Sequence, residues 1–551
     1  MTARVHATIA AAAIALCASL LPAASHATNG FIFLGSLNEY ANGPFGPWDY
    51  SDVWGYVDPS TGNEYAILGT GAGTSIINVT DPFNPYETGF IPGNTSGWRD
   101  MHTYQGRLYI TTEGQDSTGA GGGLQIVSLA NPEAPVFIRR KHMFTAHTLW
   151  IDESTGVAYC NGASGLAAAF KAYNLNANLD NPPLIVDNGT DYIHDIWVGN
   201  GVAYTADINA GGQMRVLDIS ALPGSTTITE LGRINYPSGA THNTWPHPDG
   251  IHVLTTDEIC SSGSVRVFDV SDPQDIIQVS QIPAVLGTDV HNLYMKGTTA
   301  YTAWYAAGIR AFDVSNPSNP VFLGAYDTQP GTNGCFGCWS VYPFLPSGVI
   351  ACSDMSEGLV LVAHVGASGF ISGTVTAAAA FAPIDSAIVN VPGFYNKKVA
   401  TDANGMYTFE LPVGATTVIV SADGYLSDTQ VVTINANSTT THNVVLGSPA
   451  TGVGIGASAP VIALSSAYPN PARGASSLDF ALPQDAAVRA DVFDLSGRRV
   501  RALASGMFPA GQHTLAWDAR DDAGRPAAAG TYLYRVETAG ASRSVKMTLV
   551  R

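Results

Sequence analysis

Apolar and polar residues alternate along most of this chain in short runs broken by Gly, Asn, Asp and Pro. Alternation with a period of two is the mark of β-strands. One stretch displays a whole unit. VHNLYM is a first strand, Lys296-Gly297 a turn, TAYTAWY a second strand, and IRAFDV a third, opened by Gly308. Ser315-Asn316-Pro317 ends the third strand, because Pro has no amide to donate, and VFLGAY after Pro320 is a fourth. The third strand recurs as TSIINVTDP, LQIVSLANP, FKAYNLN, MRVLDIS, VRVFDVSDP, IRAFDVSNP and LVLVAHV. The last copy has no fourth strand after it, since the pattern changes at Gly366. Ile32–Leu37 reads like Val321–Tyr326, so the segment Phe31–Asn38 is predicted to complete the seventh unit and cover its open edge.

The first strands carry polar residues at a near-constant interval. Asp52, His102, His147, His194, His242, His291 and Trp339 are separated by 50, 45, 47, 48, 49 and 48 residues. A repeat in the forties with four strands per copy indicates a β-propeller with one blade per repeat. The predicted fold is therefore all-β: a seven-bladed β-propeller over 28–366, followed by two small β-sandwich domains.

Residues 29–366 resemble the secreted bacterial proteins called choice-of-anchor B, whose propeller repeats are of the LVIVD type. The phrases that carry the likeness are DVWGYVD, GWRDMHTY, HNLYMKGTTAYTAWYAAGIRAFDVSNPSNPVFLGAYDT and WSVYPFLPSG. That family implies a variable C-terminal anchor and no particular activity. Residues 367–447 resemble the carboxypeptidase regulatory-like domain, a transthyretin-like sandwich, through Gly373, Thr401-Asp402-Ala403-Asn404-Gly405-Met406-Tyr407 and Gly424-Tyr425. No zinc-peptidase motif accompanies them. A Gly/Ser/Ala-rich linker at 448–466 leads to a terminal domain at 467–551. Tyr468-Pro469-Asn470-Pro471, Asp494-Leu495-Ser496-Gly497, Trp517-Asp518, Gly530-Thr531-Tyr532 and Lys546-Met547 are similar to type IX secretion sorting domains. They are equally similar to the Ig-like domain of flagellar hook-assembly proteins. The first likeness implies the secretion and sorting machinery as a partner of 467–551.

Charge narrows the partners. The net charge of the 551 residues is −19. From Tyr468 onward 11 Lys and Arg face 8 Asp and Glu, so the acidity lies entirely before the terminal domain. So acidic a body disfavours nucleic acid and anionic membranes as partners and is compatible with divalent cations or basic ligands; the expected partner is an unknown surface ligand, protein or glycan. Residues 1–27 read as a signal peptide: Arg4, the apolar run Ile9–Leu21 and a small-residue cleavage site at Ser25-His26-Ala27. No other run is long enough to span a membrane. The expected location is secreted, extracellular or on the outer cell surface. Five of the 6 cysteines lie beyond that leader. Cys335, Cys338 and Cys352 are the candidates for a disulfide, either local within Cys335-Phe-Gly-Cys338 or from Cys338 to Cys352 across a hairpin.

First strands line a propeller's channel, and second strands return beside them. The starts of the one and the ends of the other thus share a face. That places Asp52, His102, His147, His194 with Asp195, His242 and His291 near Glu113, Asp207, Asp257 with Glu258, and Asp354. Imidazoles and carboxylates converging on one axis make a candidate divalent-metal site (Zn or Ca), with His194, His242 and His291 as the first candidate ligands. The competing reading is structural repetition, a polar residue copied with each blade to hydrogen-bond the loop between blades. Asp116 and Asp207 lie in Gly-rich loops open to calcium, though neither shows a DxDxDG-like run. His247 and His252 read as surface or packing residues. Trp54, Trp150, Trp197, Trp245, Tyr294 and Trp339 read first as inter-blade packing. No GxSxG, HExxH or phosphate-binding loop is present. The function expected from the chain is a binding, adhesion or scaffold module at the cell surface. The alternative is a secreted metal-dependent hydrolase or lyase working at the channel mouth.

Overall fold

The computed structural model describes residues 30–41, 43, 48–115, 122–141, 145–163, 170–188, 191–237, 239–260, 262–332, 334–448, 463–464, 467–482, 485–494, 497–538 and 541–550. The expected signal peptide, most of the linker, Asp116, His142, Leu495 and Ser496 lie outside these residues. Within them the chain is all-β, apart from one short 3-10 turn at Ile208–Ala210.

Between residues 31 and 364 the described residues form seven four-stranded antiparallel sheets. Their inner strands are Tyr50–Val57, Arg99–Tyr104, Leu149–Asp152, Asp195–Gly199, Thr241–Pro246, Leu293–Lys296 and Cys338–Tyr342. Each inner strand lies against the next, and Cys338–Tyr342 lies against Tyr50–Val57. The arrangement is propeller-like. The seventh sheet takes its outer strand from the N-terminal end of the described chain: Phe31–Leu37 pairs antiparallel with Gly358–His364, Phe31 opposite His364 and Leu37 opposite Leu359. Phe31 is fully buried and stacks on the His364 ring at 4.7 Å.

Local chemistry sets the turns. In the hairpins DPSTG and DESTG, Asp58 and Asp152 each accept hydrogen bonds from the backbone N–H two residues on and from the Ser and Thr hydroxyls that follow. Gly62 and Gly156 take the left-handed step, with φ of 78° and 68°. After the third strands, Asp81, Asn131, Asp272 and Asn316 accept the backbone N–H two residues on, which turns the chain toward the fourth strand. A β-bulge recurs between third and fourth strands at Ile76/Ile77, Ile126/Val127, Ala172/Tyr173, Val216/Leu217, Val267/Phe268 and Ala311/Phe312. One extra residue at each raises the local twist and swings the outer strand away.

Two cysteine pairs are formed, Cys338–Cys352 and Cys260–Cys335, while Cys160 is free and buried. The hairpin pair thus matches one of the two sequence alternatives. The local Cys335–Cys338 pair does not form: Cys338 already belongs to an inner strand, bonded to its neighbour, and Cys335 in the preceding loop reaches Cys260 instead.

The next region is a two-sheet sandwich. Ser368–Ala377 pairs with Met406–Pro412, Thr439–Thr441 and Val444–Leu446, and a second sheet runs Lys397–Ala400, Ile388–Val391, Gly414–Ser421, Asp428–Ile434. Most of it belongs to one compact unit with the repeats. Phe83 meets Phe394 and Tyr395, and Lys397 Nζ sits 4.0 Å from the Phe83 ring. The second unit holds the C-terminal sandwich, whose core gathers Phe480, Val492, Trp517, Tyr534, Val536 and Met547. Among the described residues no helix is long and apolar enough to cross a membrane.

Candidate functional site

The inner strands stack three tiers of side chains around the axis. Backbone hydrogen bonds define the register: the N–H groups of His147, His194 and His291 each donate to the facing second strand, at Asn161, Ala206 and Ala303. Positions matched to these histidines form the first tier, Ser51, Arg99, His147, His194, His242, His291 and Trp339. One residue further on, Asp52, Asp100, Thr148, Asp195, Asn243, Asn292 and Ser340 form the second. Two residues beyond that, Trp54, His102, Trp150, Trp197, Trp245, Tyr294 and Tyr342 form the third.

The third tier is an aromatic plug. Trp54 meets Tyr342 at 5.0 Å, Trp150 meets Trp245 at 5.4 Å, and Trp245 meets Tyr294 at 5.0 Å. His102 belongs here, not with the other histidines. Its ring lies 3.9 Å from Trp54 and 5.6 Å from Trp150, and its Nδ1 bonds the Thr103 carbonyl. Burial lowers its pKa to about 3. The intervals announce this shift: 50 and 45 around His102 break a run of 47 to 49, and Ser51-Arg99-His147 restores two steps of 48.

The second tier is a polar belt whose members bond one another. Asp52 hydrogen-bonds Asp100 and Ser340. Asp100 Oδ2 accepts the Leu149 N–H at 2.7 Å, Asn243 Nδ2 donates to Asp195 Oδ2 at 2.8 Å, and Asn292 Nδ2 donates to Ser340 Oγ at 3.2 Å. Burial raises all three carboxyls, Asp195 to about 6; at Asp100 the adjoining Asp52 charge adds to it. Side chains of all three tiers, among them His147, His242, Asp52, Asp100, Trp54 and Tyr294, line a cavity of about 40 Å³, room for roughly three waters at ~10–15 Å³ apiece.

In the first tier four imidazoles form an arc. Ring centroids are 4.2 Å apart for His147–His194, 4.4 Å for His194–His242 and 3.8 Å for His242–His291. His147 Nδ1 meets Glu113 Oε1 at 2.7 Å, and His291 Nδ1 donates to the Trp339 carbonyl at 2.8 Å. Burial, then the neighbouring imidazoles, hold His194 and His242 well below the ordinary value, and burial lowers His291 to about 4. These three rings are neutral near pH 7, the state in which imidazole ligates metal. Arg99 continues the arc, wholly buried, with Nε donating to Thr70 O and Nη2 to Asn94 O.

The second-strand carboxylates divide. Glu113 and Glu258 reach the imidazoles, Glu258 Oε2 lying 3.7 Å from His242 Nε2. Asp207 and Asp257 do not serve as free ligands of the mouth. Asp207 takes two hydrogen bonds from Arg215, at 2.7 and 3.0 Å, and Asp257 takes one from Arg266 at 2.6 Å and others from Tyr236 OH and Ala240 N. Asp354 is bound by the Thr328 and Gln329 side chains. Sequence reasoning missed Asp289 and Tyr305. Asp289 beside Glu258 is raised to about 8, by burial first and the Glu258 charge second. Tyr305 OH donates to Glu258 Oε1 at 2.6 Å. The hairpin residues His247 and His252 both contact Asp249, with Nδ1 to Oδ2 distances of 2.9 and 2.7 Å.

Three segments match known families: the LVIVD repeat at 287–328, the carboxypeptidase regulatory-like domain at 370–447 and the FlgD Ig-like domain at 468–542. No curated protein matches the chain. Among solved structures, a Lactobacillus plantarum protein is 10% identical, covering 55% of this chain and 88% of its own, with a TM-score of 0.43. A putative 6-phosphogluconolactonase from Bacteroides fragilis is 10% identical over 55% of this chain and 95% of its own, TM-score 0.43. The periplasmic gluconolactonase of Pseudomonas aeruginosa is 11% identical over 70% and 99%, TM-score 0.43. Likeness this loose transfers no activity.

Proposed function

We propose that this is an exported seven-bladed propeller protein of the choice-of-anchor B type, which binds or displays a protein or glycan ligand at the cell surface. In this reading residues 28–366 are the binding body, 367–447 a spacer packed on it, and 467–551 the address read by a sorting machinery. The filled channel is the observation that carries it. An aromatic plug, a belt of mutually bonded polar groups and an imidazole arc leave only about 40 Å³, far below the ~300 Å³ at which small-molecule pockets begin. The outer strands expose Val136, Phe137, Leu184, Ile277, Val321 and Phe322 instead. Apolar groups left on outer edges suit contact with a partner. A glycan and protein array probed with the full-length chain tests the reading, which fails if nothing is retained.

The rival reading, a metal-dependent hydrolase or lyase, draws on one observation, the approach of His194, His242 and Glu258. Metal-dependent turnover of a small ester or lactone, abolished by His242→Ala, would replace the binding reading with it.

A further inference from the structure

One nitrogen each of His194 and His242 and a carboxylate oxygen of Glu258 all lie within 4.8 Å of one another. Donors on a tetrahedral zinc stand about 3.3 Å apart at metal–ligand distances near 2.0 Å, so small side-chain rotations close the shell. His242 turns Nε2 toward Glu258 Oε2 at 3.7 Å, and His194 Nε2 is buried without any hydrogen-bond partner. Buried polar atoms are rarely left so, and each such case calls for an explanation. Tyr305 OH holds Glu258 Oε1 at 2.6 Å and leaves Oε2 facing His242. A carboxylate oriented by a hydrogen bond from outside the shell is how metal ligands are commonly held.

We infer that His194, His242 and Glu258 bind one zinc-like divalent transition-metal ion at the channel mouth, with Tyr305 positioning Glu258. Two imidazoles and one carboxylate suit zinc and disfavour calcium and magnesium, which take oxygen shells. Glu258 stands in the place first given to His291, which is not among the donors that lie within 4.8 Å of one another. The ion ties the fourth sheet, which follows His194, to the fifth, which carries His242 and Glu258. Its presence depends on neither functional reading above, because the assay reads bound metal and not ligand capture or turnover.

The test uses the full-length chain without a polyhistidine tag, stripped with a chelator, given equimolar zinc and desalted. Elemental analysis should find about one zinc per chain, and cobalt in its place should give the visible absorption of a four-coordinate site. Glu258→Gln and His194→Asn should abolish retention. Tyr305→Phe, which keeps the ring, should weaken affinity roughly 10- to 100-fold. His247→Ala, in the separate His247–Asp249–His252 cluster, should change nothing. Near-UV circular dichroism establishes that each variant is folded. Folded wild type that retains no zinc overturns the site. So does zinc held equally by the Glu258 and Tyr305 variants, or lost only with His247→Ala.

Discussion

The fifth and sixth sheets place an arginine at the same point and neutralise it in different ways. Arg266 faces Thr255 across the hairpin, and Arg310 faces Thr302. Asp257 and Trp304 occupy matching second-strand ends, each donating its backbone N–H to the start of the third strand, at Ser264 and Gly308. In the fifth sheet the guanidinium meets the Asp257 carboxylate at 2.6 Å and lies over the Tyr236 ring at 4.6 Å. The sixth has no carboxylate in that place. Arg310 lies over Phe322 at 4.7 Å and Trp304 at 5.7 Å, and its Nε is buried without a partner. The fourth sheet follows the fifth, pairing Arg215 with Asp207. One repeat position thus supports two solutions for a charge in the blade: an opposite charge, or aromatic faces.

The largest effect should separate the two solutions. Arg266→Met leaves Asp257, which is 0% exposed, without its cation. Removing one member of a buried ion pair costs about 3–5 kcal/mol, because the remaining charge stays desolvated. The melting temperature of the repeat region should fall sharply, and an unchanged transition would mean that Tyr236 and Ala240 satisfy Asp257 alone.

A smaller effect, of opposite sign, belongs to the channel, where carboxyls have no cation. Asp52 and Asp100 share a hydrogen bond, and burial raises both above the ordinary carboxyl value. The folded state therefore holds protons that the unfolded chain has released. Stability from this pair is complete below about pH 4, the unfolded value, and is lost as pH rises toward the folded value. Asp52→Asn supplies an amide N–H where the pair would need a proton. It should stabilise the protein by about 1–3 kcal/mol at pH 8, the scale of one unmet buried polar group, with the gain shrinking toward pH 4. Melting curves of both proteins across that range check the sign. A gain independent of pH would exclude titration as its cause.

How legible all this is in the chain depends on whether a feature sits on one strand or between strands. VRVFDVSDP and IRAFDVSNP, the Asx turns after them and the likeness of Ile32–Leu37 to Val321–Tyr326 are properties of single strands, and the architecture follows from them. The tiers depend on register, and aligning on histidine as a residue type pulled His102 three places out of it. The Asp257–Arg266 and Asp207–Arg215 pairs join strands across a hairpin, so alternation alone assigns their carboxylates to the mouth. Glu258 was visible as a neighbour of Asp257. Its role was not, because that rests on Tyr305 in the next sheet.

The smallest effect is the sharpest test of the comparison. Arg310→Met removes a guanidinium with no carboxylate to strand, keeps an unbranched apolar stem against Phe322 and Trp304, and ends the cost of holding a charge whose pKa burial already lowers. What it forfeits is the attraction of the cation for the two rings, about 0.5–2 kcal/mol. Gain and loss are of similar size, so the variant should melt within about 1 kcal/mol of wild type while Arg266→Met does not. Equal losses for the two would show that aromatic faces hold a buried guanidinium as firmly as a carboxylate does, and the distinction between the two sheets would collapse. A clear gain for Arg310→Met would mean that Trp304 and Phe322 tolerate the charge rather than stabilise it.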